Sequence, residues 1–249
     1  MASLLEEFEI HPLTQPLFSL GGHPVAFTNS SLFMLLAIMA STALMVLAMR
    51  PKALVPGRWQ MLAESLYNGI SGMVENTAGE KGRPFFPFIF TIFMFILFCN
   101  LFGMFPWSLA VTSHIVINLA IALTLFSIII ITGFVKNGLH FLSIFVPKGL
   151  PWYMAVFIVP IEIVSFLVRP FSLSLRLFAN MLAGHILLGV FAGMAATLLA
   201  AGWGLKLVGI LPLTFNIAMT GFEFFVAVLQ AYIYAILSSV YLRDALEMH

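Results

Sequence analysis

Residues 85–135 read FFPFIFTIFMFILFCNLFGMFPWSLAVTSHIVINLAIALTLFSIIIITGFV and contain no Asp, Glu, Lys or Arg. A helix rises about 1.5 Å per residue and needs to cross roughly 30 Å of hydrocarbon, so this run is too long for one span. Pro106 begins a turn signal that interrupts it. The stretch therefore predicts two antiparallel membrane spans, 85–106 and 113–135, joined by a short loop.

The composition of the whole chain is that of an integral membrane protein. Of 249 residues, 61% are hydrophobic and 8% charged, whereas soluble domains carry about 25% charged residues. With a formal net charge of +1, the chain lacks the surplus of positive charge that binding nucleic-acid phosphates requires. One cysteine, Cys99, excludes a disulfide framework and a cysteine-based metal cluster. Because phosphate-loop and dinucleotide fingerprints are also missing from the sequence, we expect no cofactor and no metal.

The rest of the chain completes an all-α polytopic architecture of about five membrane-spanning helices plus one interfacial helix. The first residues do not have the basic, then apolar, pattern of a signal peptide, which predicts a retained tail. We expect a single membrane domain, 1–249, with an outer N-terminal tail (1–29), span one (30–49), an interfacial amphipathic helix (59–80), spans two and three as above, a kinked span four (150–201) and span five (205–242).

The predicted interfacial helix has Met61, Leu62, Leu66, Ile70 and Met73 at helical spacing, with polar residues off that face. Such a pattern is typical of a helix that lies on the membrane surface. The alternative is a soluble cap helix.

The last two spans are predicted to form a long, tilted antiparallel hairpin. Ala201-Gly202-Trp203-Gly204 is the best turn signal between them. Span five, at roughly 54 Å, exceeds the bilayer and must tilt or protrude.

Basic residues predict the orientation, because they accumulate in cytoplasmic loops. Arg50, Lys52 and Arg58 follow span one, and Lys136 and Lys148 follow span three. The N-terminus is thus expected outside and the C-terminus inside, with Lys206 as a lone outer exception.

Isolated polar residues on spans four and five are the candidate functional groups. Arg176 is the most informative, because a guanidinium stays charged and cannot hand on a proton. Helix–helix hydrogen bonding is an equal alternative for Asn180, Asn216 and Gln230. At about 100° per residue, polar residues fall on one face of each of these two helices. The polar stripe of span four consists of Glu162, Ser165, Arg169, Ser172, Arg176 and Asn180. The polar stripe of span five consists of Asn216, Glu223, Gln230 and Tyr234.

In an antiparallel hairpin, two residues at equal depth lie equally far from the turn, so the average of their sequence numbers falls on the turn. His185 with Glu223 gives 204 and Arg176 with Gln230 gives 203, both on the predicted turn. The His–Glu level is expected toward the outside, roughly 10–14 Å from the Arg–Gln level. The pair fits a proton relay or a static ion pair. Glu162, near the inner end, fits an inner aqueous opening or a pair with a basic residue.

The run Phe171–His185, FSLSLRLFANMLAGH, closely resembles the signature of subunit a of F-type ATP synthases. The resemblance extends over most of the chain. It includes Pro160-Ile161-Glu162, the segment from Glu223 to Tyr241, the run Asn100–Pro106 and the early His11-Pro12-Leu13. The order His185 then Glu223 is similar to the alphaproteobacterial and mitochondrial type, whereas other members exchange these two residue types.

The resemblance implies the stator half of a rotary proton channel, without a catalytic site of its own. Its partners would be a ring of c subunits, b-type peripheral stalk subunits, the rest of the synthase and membrane lipid, in a bacterial inner membrane. Protons, rather than sodium, are the expected ion. His185, Glu223 and Asn216 would line an outer half-channel, Gln230 and Asn180 would support Arg176, and Glu162 would face an inner half-channel.

Two other function classes are considered. A secondary proton-coupled transporter with a polar site at the midplane would show two related halves, and no internal repeat is visible in this sequence. A cofactor-holding subunit of a membrane oxidoreductase needs two facing histidines for haem, and only His185 is well placed.

Overall fold

The computed structural model describes residues 11–13, 15, 18–20, 23–49, 57–105, 111–138, 141, 152–201 and 203–246. Six α-helices account for most of them. They are α1 (Asn29–Met49), α2 (Arg58–Gly82), α3 (Phe86–Gly103), α4 (Ile115–Asn137), α5 (Trp152–Ala200) and α6 (Trp203–Leu246), with 3₁₀ turns at Arg83–Phe85 and Val111–Ser113.

Short strands precede the first helix. Strands β1 (Phe18–Leu20) and β2 (His23–Val25) pair antiparallel, with Ser19 opposite Pro24. A bridge between Pro12 and Thr28 continues this pairing toward α1. The N-terminal segment is thus anchored to the start of α1 by local hydrogen bonds.

Five helical segments are long and apolar enough to cross a membrane, which confirms the all-α polytopic architecture. They are α1, the consecutive segment from α2 through α3, and then α4, α5 and α6. Their bounds lie within a few residues of the expected spans, apart from the end of α6. The predicted turn at Pro106 and the loop that carries Lys148 lie outside the described residues, as do Arg50 and Lys52.

Helices α5 and α6 are unusually long. They contain 49 and 44 residues, or about 74 Å and 66 Å of helix, and each continues through internal prolines. Helix α6 runs past Leu242, where the sequence pattern predicted its end, to Leu246. Asn137 donates to the Ala245 carbonyl at 2.7 Å, so an acceptor of the last turn is satisfied by a side chain of α4.

The chain forms two compact units. The first contains residues up to Ser41 together with Phe95–His114 and Leu177–Gln230. Within it, the buried Asn100 donates through Nδ2 to the Ala227 carbonyl at 3.2 Å. This bond joins α3 to α6.

The second unit contains Thr42–Met94, Ile115–Arg176 and the residues after Gln230. Here Ser239 of α6 donates to Met73 of α2, with Oγ and Sδ 3.5 Å apart. Aromatic rings pack α4 against α5 and α6, since Phe126 lies 4.5 Å from Phe166 and 6.1 Å from Tyr241 between ring centroids.

One part of the apolar face of α2 is buried and the other part is exposed. Ile70 and Met73 are buried in the second unit, whereas Met61 and Leu62 are exposed. If α2 lies at the membrane surface, lipid covers this exposed apolar face at its start. The membrane-surface position itself stays a prediction.

The contact between Gly133 and Phe141 makes a test of this packing possible. A Cβ on Gly133 of α4 would overlap the ring of Phe141, which is 2% exposed. Gly133→Ala should lower the free energy of unfolding by about 1–3 kcal/mol, the usual cost of overpacking. Gly72→Ala on α2, where a Cβ meets nothing within 4 Å, is the matched control. Thermal loss of the helical circular dichroism signal measures both, and equal stability would contradict the contact.

Candidate functional site

His185 of α5 and Glu223 of α6 lie side by side within the first unit. Nδ1 of the imidazole lies 3.8 Å from Oε1 of the carboxylate, and the two side chains are 18% and 4% exposed. The shared sequence midpoint predicts this pairing. Neither Glu223 oxygen accepts a hydrogen bond from a described residue. A nearly buried carboxylate beside an imidazole can exchange a proton with it, because both groups can lose and gain one.

Gly184 allows Glu223 to approach α5. A Cβ on Gly184 would lie 2.6 Å from Oε1 and 3.0 Å from Cδ of Glu223. Any larger residue at position 184 would therefore displace the carboxylate. The polar pattern did not single out this glycine, although it directly precedes the histidine.

Other buried polar oxygens lie in the same unit. Asn100 Oδ1, Asn216 Oδ1 and Gln230 Oε1 are buried and accept no hydrogen bond from the described residues. Buried acceptors of this kind are normally satisfied, so each is available to water or to a proton carrier. Asn100 was not among the expected residues, since it lies on span two, outside the two polar stripes.

Arg176 belongs to the second unit and is exposed on α5. Among the described residues it has no ion-pair partner within 4.0 Å. Its charge acts on the buried Tyr234 of α6. Asn180 follows one turn later on the same helix and is also exposed. A permanent charge on an apolar span is costly in lipid unless an anion matches it.

Glu162 pairs with Arg169 in the second unit, with Oε1 and Nη2 3.6 Å apart. Arg169 also lies 3.8 Å from Asp244 of α6, measured from Nη1 to Oδ2. A basic partner for Glu162, one of the two alternatives that the sequence left open, is therefore present, and an inner aqueous opening stays a prediction. Asp244 was missed, because it lies beyond the predicted end of span five. The expected common level of Arg176 and Gln230 stays a prediction.

His114 lies outside the spans, between the second 3₁₀ turn and α4. Burial lowers the pKa of this histidine below its ordinary value.

Comparison with known proteins relates the chain to one family. The sequence model of the ATP synthase A chain family matches residues 31–243. An ATP synthase subunit a from Pelagibacter ubique is 46% identical over 98% of both chains. Proteins of the same description from Methylobacterium sp. (48%, covering 98% of this chain and 96% of the relative) and Paramagnetospirillum magneticum (46%, covering both chains fully) are similarly close. A secondary transporter finds no support among these relatives.

The close approach at Gly184 predicts a localised effect. Gly184→Ala should push the Glu223 carboxylate away from His185, lengthening the Nδ1–Oε1 distance beyond 4 Å and costing about 1–3 kcal/mol of stability. Gly193→Ala, on the same helix with nothing within 4 Å of a Cβ, should change neither. A structure of each variant and its thermal unfolding in detergent give the two measurements. An unchanged His–Glu distance in the Gly184 variant would show that the carboxylate position does not depend on this glycine.

Proposed function

We propose that this chain, which belongs to the ATP synthase A chain family of F0 proton-channel subunits, is the stationary, non-catalytic half of a rotary proton channel. Its moving partner is a ring of c subunits, each with a membrane-embedded carboxylate. Proton flow between the two turns the ring and supports ATP synthesis elsewhere in the complex.

The observation that carries this proposal is the exposed Arg176, which has no ion-pair partner among the described residues. A guanidinium cannot donate its proton at physiological pH, so this residue acts as a fixed charge. A carboxylate of the ring is the anion that such a charge needs at membrane depth. By attracting that carboxylate in its ionised form, Arg176 makes it release its proton, and by repelling protons it blocks a direct leak.

The His185–Glu223 pair supports an outer half-channel. A proton from outside passes this pair, with Asn216 as a polar neighbour in sequence and unit, and neutralises a ring carboxylate. The neutral carboxyl group can then face lipid, because burying it no longer costs the desolvation of a charge. Gln230 and Asn180 support Arg176 in this scheme.

Glu162 supports an inner half-channel, where the proton leaves after nearly a full turn of the ring. The carboxylate is partly exposed, at 37% of its side chain, and can exchange protons with water. The basic residues after spans one and three favour a periplasmic N-terminus and a cytoplasmic C-terminus in a bacterial inner membrane. The b-type stalk subunits would hold the chain against the turning ring.

Replacing Arg176 tests the proposal directly. Arg176→Ala should reduce ATP-driven acidification of inverted vesicles to background, because the ring carboxylate loses the charge that makes it release its proton. The amount of this chain in the purified complex should stay unchanged. Arg83→Ala is the matched control, since Arg83 also carries a single charge but lies in an exposed pair with Glu75 at 3.9 Å. Normal acidification by assembled Arg176→Ala complexes would refute the proposal.

Exchanging the relay residues tests the outer half-channel. The double variant His185→Glu with Glu223→His should pump protons faster than either single variant, because the exchange keeps one carboxylate and one imidazole 3.8 Å apart. Acidification rates of the three variants, normalised to uncoupled ATP hydrolysis, provide the comparison. A double variant no faster than the slower single variant would argue for two independent sites.

A further inference from the structure

The side chain of Tyr234 on α6 is completely buried, and its hydroxyl group makes no hydrogen bond with any described residue. A buried tyrosine hydroxyl normally has a partner, because taking it out of water without a compensating hydrogen bond is unfavourable. Phenylalanine would fill almost the same space without this cost. The hydroxyl group of Tyr234 is therefore available to a polar group that reaches it by moving.

The part of α6 that carries Tyr234 is closely packed within the second unit. Ala231 and Ala235, the small residues on either side of Tyr234 along the helix, are both 0% exposed. Ser238, one turn later, is also buried and donates a hydrogen bond to the Tyr234 carbonyl. Because the ring has no room to turn outward, a partner for the hydroxyl group must come to it.

Arg176 of α5 is the cation whose charge acts on Tyr234 in the second unit. Its side chain is exposed and has no ion-pair partner among the described residues. A guanidinium has five N–H donors and no acceptor, so a neutral hydroxyl oxygen is a suitable partner for it. The long stem of an arginine can also lie along apolar surface while its head reaches a polar group.

The directions of the two side chains favour this contact. Arg176 lies 27 residues before Trp203 and Tyr234 lies 31 residues after it, so Tyr234 is about one helical turn farther from the connection between α5 and α6. Side chains on a helix lean toward its N-terminus. The Arg176 side chain therefore leans away from the connection and the Tyr234 side chain leans toward it, which brings both toward the same level.

We propose that the Tyr234 hydroxyl oxygen accepts a hydrogen bond from Arg176 whenever no ring carboxylate faces the arginine. This inference rests on the proposed function and deepens it by naming a positioning residue for the arginine. A neutral acceptor lowers the cost of holding a cation at membrane depth without neutralising it. No proton is transferred, since the guanidinium and the phenol both keep their hydrogens. Arg176 therefore keeps its full charge and turns outward, to the exposed position of this structure, when the next carboxylate arrives.

The first test measures proton pumping by the complete complex in inverted vesicles. Tyr234→Phe removes only the hydroxyl group and should slow ATP-driven acidification, divided by uncoupled ATP hydrolysis, about tenfold, because a hydrogen bond to a charged group is lost. Tyr67→Phe is the matched control and should leave the rate unchanged, since Tyr67 is 48% exposed on α2. The amount of this chain in the complex should stay the same in both variants. Wild-type pumping by Tyr234→Phe would overturn the proposal.

The second test asks whether the hydroxyl group responds to the arginine, which a ring that only fills space would not do. The infrared C–O stretching band of Tyr234 is the difference between complexes with and without Tyr234→Phe, measured in the wild-type and Arg176→Ala backgrounds. An acid medium keeps the ring carboxylates neutral, so that Arg176 has no anion to face. The Tyr234 band should shift in Arg176→Ala, whereas the Tyr67 band, obtained with Tyr67→Phe, should not. A Tyr234 band at the same position in both backgrounds would contradict the proposed hydrogen bond.

Failure of this inference is distinguishable from failure of the proposed function. If Arg176→Ala pumps normally, the rotary channel itself is refuted. If Arg176→Ala does not pump while Tyr234→Phe pumps at the wild-type rate, the rotary channel stands and only the role of the Tyr234 hydroxyl group is wrong.

Discussion

A permanent charge on an apolar helix is the constraint on which the rest of this structure depends. Placing an arginine at membrane depth costs about 2.5–3.5 kcal/mol or more, and Arg176 recovers none of this from an ion pair with a described residue. The chain holds it on α5, which continues without interruption through Pro160 and Pro170. A helix that presents a cation outward suits a partner that brings an anion, which is the basis of the proposed function.

Much of the fold and part of the site follow from the sequence, because they depend on periodic and local signals. Charge-free runs predict the spans, and the turn near Trp203 predicts where α5 ends and α6 begins. Symmetry about that turn predicts that His185 meets Glu223, since residues at equal distances along two antiparallel helices lie at equal depth. Arg176 is recognisable because charges are rare in apolar spans.

The remaining features depend on side-chain reach and on contacts between distant segments. Counting equal numbers of residues on both sides of the turn pairs Arg169 with Ser238 rather than with Asp244. Equal depth therefore does not predict the Arg169–Asp244 pair. The long arginine side chain spans that difference. Helix α6 outlasts its apolar pattern, and Asn137, 108 residues earlier, bonds to its last turn. The need for Gly184 appears only when the position of the Glu223 carboxylate is known.

The two carboxylates differ in the chemistry of their basic partners, and the difference suits different tasks. Glu223 faces an imidazole that can itself take up and lose a proton, so the pair can pass a proton on in a largely buried setting. Glu162 faces a guanidinium that cannot, in a setting open to water. There the cation orients and stabilises charge, and water must carry the proton. A buried relay needs two titrating groups because water has limited access to it. A hydrated site needs only carboxylates held in place, which is the arrangement around Arg169.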